Sequence, residues 1–339
     1  MPRICALGPS LVLLGIPAAL SDGYAGSRID PSRTPYTLPA DHVVEGEILL
    51  WPQGAPGEAP DWPGPEVQSP VVYPPGDYPG VHVTNVSRPT LAPYLVKGSR
   101  GAVIVAPGGG YVDLAHTLEG TDVAKRLNAM GVSVFLLKYR VPLRPPTEAM
   151  PYAWAQLQDA QRAVSVVRGR SAEWGGDPRK VAFLGFSAGG HLTAHVSTAW
   201  QHRLYEAVDA YDAVSCRPDL SFLLYPWRLL AGNDPWQERL APEIDVRATT
   251  PPAFVAGNGD DRTAWPQNFL QYYKKLRLDS GVASTLHVYP SGGHGFGLCQ
   301  AFKRSEDCCE WPVAAQRVLQ DAGFAAARAS GSDAQEVRV

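Results

Sequence analysis

The stretch Lys180-Val-Ala-Phe-Leu-Gly-Phe-Ser187-Ala-Gly-Gly-His191 decides the reading of this chain. A short run of strand formers enters Gly185-Phe-Ser-Ala-Gly189, and a helix-compatible segment follows without a break. A serine placed this way sits on a tight strand-to-helix turn that exposes its oxygen at the sheet edge. Gly185 and Gly189 are small because the turned backbone and the starting helix leave no room for a β-carbon.

Working outward, strand-like and helix-like segments alternate. Residues 102–106 form a continuous apolar run, as expected of a strand buried on both faces. The pattern predicts a helix over 117–130 closed by Gly131, then a strand over 132–137. Leu157, Ala160, Val164 and Val167 fall at helical spacing within 155–170. Residues 181–184 lead to Ser187, and 190–199 read as the helix behind it. Further apolar runs at 220–224, 253–256 and 286–289 predict strands, with helices over 266–278 and 312–322. Such alternation predicts an α/β domain over 101–325, with a mostly parallel central sheet and helices on both faces.

Residues 22–100 read differently. Trp51-Pro-Gln-Gly-Ala-Pro-Gly-Glu-Ala-Pro60 and Tyr73-Pro-Pro-Gly-Asp-Tyr-Pro-Gly80 rule out helix, because proline removes donors and fixes φ. The short apolar pieces at 81–83 and 94–96 favour an extended arm ending in edge strands over a plain linker. Residues 1–21 pair a short basic start with a mostly apolar run and small residues near Ser21, which predicts a secretory signal peptide and a secreted or periplasmic protein. Cytoplasmic retention is the alternative. Residues 326–339 read as a tail.

With 339 residues, 45% hydrophobic and 19% charged, the chain can bury a large core. A net charge of −3 and the lack of any basic stripe with interleaved aromatics argue against a nucleic-acid partner. No continuous apolar span long enough for a membrane occurs beyond the N-terminus. Of five cysteines, Cys5 leaves with the signal; Cys299 with Cys308 or Cys309 would close a short loop in an exported protein. Zinc-type C-x₂₋₄-C spacing is absent. No feature fixes an oligomeric state.

A serine hydroxyl needs a base within hydrogen-bond reach to act as a nucleophile. His294, in Pro290-Ser-Gly-Gly-His-Gly-Phe-Gly297, follows the last strand-like run on a loop whose glycines allow close approach. His191, one helical turn past Ser187, cannot easily face its hydroxyl; His195, His116 and His287 are weaker candidates. A carboxylate must fix the imidazole tautomer, and Asp260 and Asp261 both follow the run at 253–256. Donors for a developing oxyanion would come from the N–H groups of Gly109, Gly110 and Ala188, the first two in Ala106-Pro-Gly-Gly-Gly-Tyr111 after the first buried strand. Tyr111, beside that loop, is the candidate for lining the substrate pocket. Trp154, Trp227 and Trp265 are candidates for a sugar-stacking platform, although aromatics in a large core are more often packing.

Together these residues resemble the α/β-hydrolase superfamily. More narrowly they resemble its carbohydrate-esterase-like branch, the acetylxylan esterase-like and feruloyl-esterase-like proteins. The matching segments are 106–111, Glu119-Gly120, Leu137-Lys-Tyr-Arg-Val-Pro142, Asp159-Ala-Gln-Arg-Ala163, Gly185-Phe-Ser-Ala-Gly-Gly-His-Leu192, 251–254, Asp260-Asp261 and Gly293-His-Gly-Phe296. They cover roughly residues 80 to 320. The resemblance implies an α/β-hydrolase fold and a Ser187, Asp261, His294 set, because the second aspartate of such a pair usually serves in that family. It implies hydrolysis of a small-molecule or oligosaccharide ester, most often an acetyl group on a sugar such as xylan, with no cofactor or metal. A short-chain lipid or aryl ester, or a peptide, is an alternative substrate on the same chemistry. A binding protein on a retained hydrolase fold would be marked by a missing member of the set, and none is missing.

Overall fold

The computed structural model describes residues 28–29, 36–37, 46–59, 63–74, 77–302 and 306–325. The expected signal peptide over 1–21 and the tail over 326–339 lie outside the described residues. Twelve strands occur among those described: β1 (Arg28–Ile29), β2 (Tyr36–Thr37), β3 (Ile48–Leu49), β4 (Val67–Tyr73), β5 (Tyr78–Thr84), β6 (Thr90–Tyr94), β7 (Ala102–Ala106), β8 (Ser133–Lys138), β9 (Val181–Phe186), β10 (Leu220–Leu224), β11 (Ala253–Asn258) and β12 (Ser284–Tyr289). The α-helices are α1 (Asp122–Ala129), α2 (Trp154–Gly169), α3 (Ala188–Thr198), α4 (Gln267–Tyr273) and α5 (Trp311–Asp321).

Eight strands build the central sheet in the order β12-β11-β10-β9-β7-β8-β6-β3. The six from β12 to β8 run parallel, whereas β6 and β3 join antiparallel. The inner strands are apolar on both faces because helices cover both. Ile104, Phe135 and Phe183 pack against α2 and α3 on one side, and Leu223 and Val255 meet Phe269 and Tyr272 of α4. Their strand neighbours Val103, Val105, Leu184 and Phe222 point the other way, onto Val123 and Leu127 of α1 and Trp311 and Leu319 of α5. That is the period-two alternation of a strand within a layered α/β core.

The arm departs from expectation. Residues 81–83 lie in β5, which pairs with β4 in a separate sheet completed by β1 and β2. The expected edge strand at 94–96 begins earlier, as β6, and lies inside the central sheet with β3 outside it. The small sheet is docked by Val83, which bridges to Leu114, and by Val81 N–H donating to Thr117 Oγ1 at 2.9 Å.

A buried network anchors the Pro-rich segment. Arg140 and Asp159, both fully buried, pair at 2.9 Å, and Trp51 Nε1–H donates to Asp159 Oδ1 at 2.8 Å. Arg140 also donates to Pro56 O. Arg162 pairs with Asp209 and Asp212. The Tyr-Arg and Asp159-to-Arg162 segments of the family pattern are therefore structural joints, since a buried charge persists only where it is paired and hydrogen-bonded.

The order in which strands are added reverses at β7: β8 lies on one side and β9 on the other, all three parallel. The crevice beyond the carboxyl ends of the strands at such a switch point is where open α/β sheets bind ligands.

Candidate active site

The glycine loop and the proposed nucleophile, acid and base are each carried to that crevice by the end of a parallel strand. The glycine loop follows β7, Ser187 follows β9, Asp261 follows β11 and His294 follows β12. Ser187 adopts φ 51° and ψ −115°, a backbone state that costs a non-glycine residue about 1–3 kcal/mol. Its surroundings hold it there: Ser187 N–H donates to Leu224 O at 3.1 Å, while its carbonyl accepts from His191 and Trp227 N–H at 3.0 Å. A β-carbon at Gly185 would lie 1.9 Å from Gly189 O, and one at Gly189 would lie 2.1 Å from Ala106 O. Any side chain at either position would break the turn.

Ser187, His294 and Asp261 form one hydrogen-bonded line. His294 Nε2 lies 2.9 Å from Ser187 Oγ, and His294 Nδ1 lies 2.7 Å from Asp261 Oδ2. An ionised carboxylate only accepts, so Nδ1 carries the proton and Nε2 accepts from the serine hydroxyl. Burial works to raise the Asp261 carboxyl. The charge and hydrogen bond of His294, with the N–H groups of Ala264 and Thr263, outweigh burial and hold it below the ordinary carboxylate range. Asp260 is exposed and faces the other way, accepting from Gly293 N–H at 2.9 Å and Gly292 N–H at 3.3 Å. Of the two aspartates, Asp261 is the one against the imidazole, and Asp260 staples the loop that carries it.

Among the described residues, none accepts a hydrogen bond from the backbone N–H of Gly109, Gly110 or Ala188. Ala188 opens α3, where the first N–H groups have no partner within the helix. Such a set of uncommitted donors can stabilise negative charge on an oxygen near Ser187. Tyr111 departs from its expected place on the substrate wall. Its side chain is fully buried, and its hydroxyl bonds to His191 Nδ1 at 2.8 Å, so it supports the glycine loop from within. His191 Nε2 in turn faces Glu243 at 3.4 Å. Trp154 is likewise a packing residue, its indole donating to Pro145 O, whereas Trp265 stays partly exposed.

Two neighbours escape sequence reasoning. Tyr225, just past β10, packs its ring 5.0 Å from that of His294. Glu119, fully buried, accepts from its hydroxyl at 2.9 Å. Glu119 appears in the sequence only as part of a family segment, and no pattern links it to a tyrosine over a hundred residues away. Behind the His294 loop, Cys299 is bonded to Cys309, while Cys308 is a buried free thiol that burial pushes up to about 11.

His195, on α3 behind the site, gives a testable pH dependence. Burial, then the charge of His191, push its imidazole from the ordinary 6.5 down to about 3. Between those values the unfolded chain binds a proton that the folded one refuses, so stability falls as pH drops below 6.5. From pH 7 to pH 5 this group costs on the order of 1–2 kcal/mol. Urea unfolding at both pH values checks this: the drop should shrink in His195→Phe, and an equal drop in both proteins would refute the assignment.

Comparisons with known proteins bear on the fold and on the kind of protein this chain is similar to. The family model BD-FAE matches residues 92–222, a span that includes the glycine loop and Ser187 and stops before Asp261 and His294. The acetylxylan esterase of Xylanibacter ruminicola is 31% identical over 244 residues, covering 66% of this chain and 47% of that protein. The endo-1,4-beta-xylanase B of Butyrivibrio fibrisolvens is 28% identical over 224 residues, covering 61% of this chain and 34% of that one. The chain thus spans about half the length, or less, of these curated relatives. Among solved structures, the acetyl ester-xyloside bifunctional hydrolase of Caldicellulosiruptor lactoaceticus superposes with a TM-score of 0.64 at 29% identity, over 82% of this chain and 97% of that one. The chain has the α/β-hydrolase fold and is similar in sequence to esterases that share it.

Proposed function

We propose that this protein is a serine esterase that removes acetyl groups from xylan-type carbohydrate. The observation that carries the reading is the buried line Ser187–His294–Asp261 beside uncommitted N–H donors. Ser187 Oγ attacks the acetyl carbonyl carbon as His294 Nε2 takes its proton. The carbonyl oxygen becomes an oxyanion facing the N–H groups of Gly109, Gly110 and Ala188. The C–O bond to the sugar then breaks, and His294 returns the proton to the departing hydroxyl. Water, deprotonated by the same imidazole, attacks the acetyl-serine ester, and acetate leaves as Ser187 regains its hydrogen. Asp261 stays ionised throughout and stabilises the imidazolium.

The sugar comes from the relatives: two are named for activity on xylan or its acetyl groups, and a third for acetyl esters and xylosides. Export fits the same reading. The Cys299–Cys309 bond suits an oxidising compartment, and the N-terminal run reads as a signal for it.

Acetate release from acetylated xylo-oligosaccharides, set beside hydrolysis of p-nitrophenyl acetate and p-nitrophenyl octanoate, tests the substrate class. The expected result is Ser187-dependent release from the oligosaccharide, with acetate preferred over octanoate among the aryl esters by about tenfold or more. Turnover confined to the aryl esters would overturn the carbohydrate assignment and keep the esterase chemistry.

A further inference from the structure

We infer that Glu119 and Tyr225 form a buried brace that sets the oxyanion loop and the histidine loop against each other, which makes Glu119 a positioning residue for the reaction proposed above. The inference rests on that reading of the site. Glu119 lies in the helical turn Thr117–Thr121 beneath the crevice and is fully buried. Its two oxygens face two different loops. Oε2 accepts from the N–H of Gly108, at the head of the glycine loop, at 2.6 Å. Oε1 accepts from the Tyr225 hydroxyl at 2.9 Å, and that hydroxyl oxygen accepts from Gly297 N–H, in the histidine loop, at 3.0 Å.

The linkage therefore runs from Gly108 through Glu119 and Tyr225 to Gly297. Tyr225 adds a second constraint, because its ring packs edge-on against Phe296 at 4.3 Å as well as against His294. At the other end Gly108 is confined. A β-carbon there would lie 2.6 Å from Glu119 Oε2 and 2.8 Å from Ser187 Cβ. The brace thus reaches the nucleophile on one side and the base on the other without touching a substrate.

Only a carboxylate suits this position. Both neighbours present donors, Gly108 N–H and Tyr225 O–H, and a carboxylate accepts on both oxygens. A glutamine has one accepting oxygen and would turn an N–H toward a donor. No lysine or arginine bonds to Glu119 among the described residues; burial raises its carboxyl above the ordinary range, and the hydrogen bonds from Tyr225 and Gly108 and the charge of His294 offset that only in part. Burying a carboxyl costs enough that a purely packing role would be better served by an apolar side chain. Holding two loops in register accounts for its presence.

The test uses Glu119→Gln, Tyr225→Phe and the double variant in the full chain, with two readouts. In the first, kcat for acetyl ester hydrolysis should fall roughly 10- to 100-fold in each single variant, with KM within about threefold, because only placement of donors and base has changed. The double variant should be no slower than the worse single one, as for residues acting as a unit. Single-variant kcat values within about threefold of wild type, or losses that multiply in the double variant, would overturn the brace. The second readout, amide hydrogen exchange, does not depend on turnover. Glu119→Gln should raise exchange in the segments around both Gly108 and Gly297, and Tyr225→Phe should do the same with the volume preserved. A change confined to the Gly108 segment in Glu119→Gln, or to the Gly297 segment in Tyr225→Phe, would refute the coupling. If wild type shows no Ser187-dependent turnover, the proposed reaction fails, and the exchange result still decides the brace.

Discussion

Ser187→Ala is expected to lower acetyl ester turnover by about 10⁴- to 10⁶-fold while leaving the thermal midpoint close to that of wild type. The size of the effect follows from the arrangement. Removing Oγ deletes the attacking atom and leaves His294 Nε2 without its hydroxyl partner at 2.9 Å. The donors at Gly109, Gly110 and Ala188 stay in place, so the variant should retain a small residual rate from polarising the carbonyl toward water. Stability should hardly change, because the turn is fixed by backbone bonds to Leu224, His191 and Trp227 and by the flanking glycines, none of which involves the hydroxyl. Steady-state kinetics on p-nitrophenyl acetate with circular dichroism as a folding control measures both. A loss of less than about tenfold would remove Ser187 from the chemistry.

Asp261→Asn should cost about 10³- to 10⁴-fold in kcat, whereas Asp260→Asn should stay within about tenfold of wild type. The contrast is sharp because the two residues are adjacent and chemically alike. Asp261 Oδ1 is committed to the N–H groups of Thr263 and Ala264 at 2.8 Å, which aims Oδ2 at His294 Nδ1. An amide can present N–H there instead of oxygen, which favours the wrong imidazole tautomer and loses the charge that stabilises imidazolium. Asp260 only caps the N–H groups of Gly292 and Gly293, a contact an asparagine oxygen can partly replace. Equal losses in both variants would mean that the two aspartates share the role. A larger loss at Asp260 would reverse the assignment.

The sequence showed the parallel part of the sheet plainly and the rest poorly, for physical reasons. Strands buried on both faces, such as Ala102–Ala106 and Val181–Phe186, must be apolar throughout and so stand out as runs. The strand-to-helix turn is legible because it demands glycine on both sides of Ser187. The small sheet is not, since β4 and β5 carry Pro70, Pro79 and Gly80, and the pairing of β4 with the two-residue strands β1 and β2 is set by contacts distant in the chain.

The site was legible in its residue types and less so in their directions. Strand order and chain position bring Ser187, Asp261 and His294 together, but the choice between Asp260 and Asp261 came from family resemblance alone. The residues themselves cannot make it, because adjacent side chains leave the backbone on opposite sides. Tyr111 reads as a pocket residue by position, yet the turn that follows Gly110 sends its ring inward to His191. The link between Glu119 and Tyr225 joins residues 106 apart through one hydrogen bond, and hydrophobic periodicity carries no trace of such a bond.

The most direct test of the central claim is to trap the nucleophile. Wild type, Ser187→Ala and His294→Ala are each incubated with a fluorophosphonate, which phosphonylates an activated serine oxygen with loss of fluoride, and the modified peptide is mapped by mass spectrometry. The account expects a single adduct on Ser187 in wild type, none in Ser187→Ala, and labelling slowed by at least about 10³-fold in His294→Ala, where the base is gone. An adduct on another residue, or labelling of Ser187 that proceeds equally fast without His294, would contradict it.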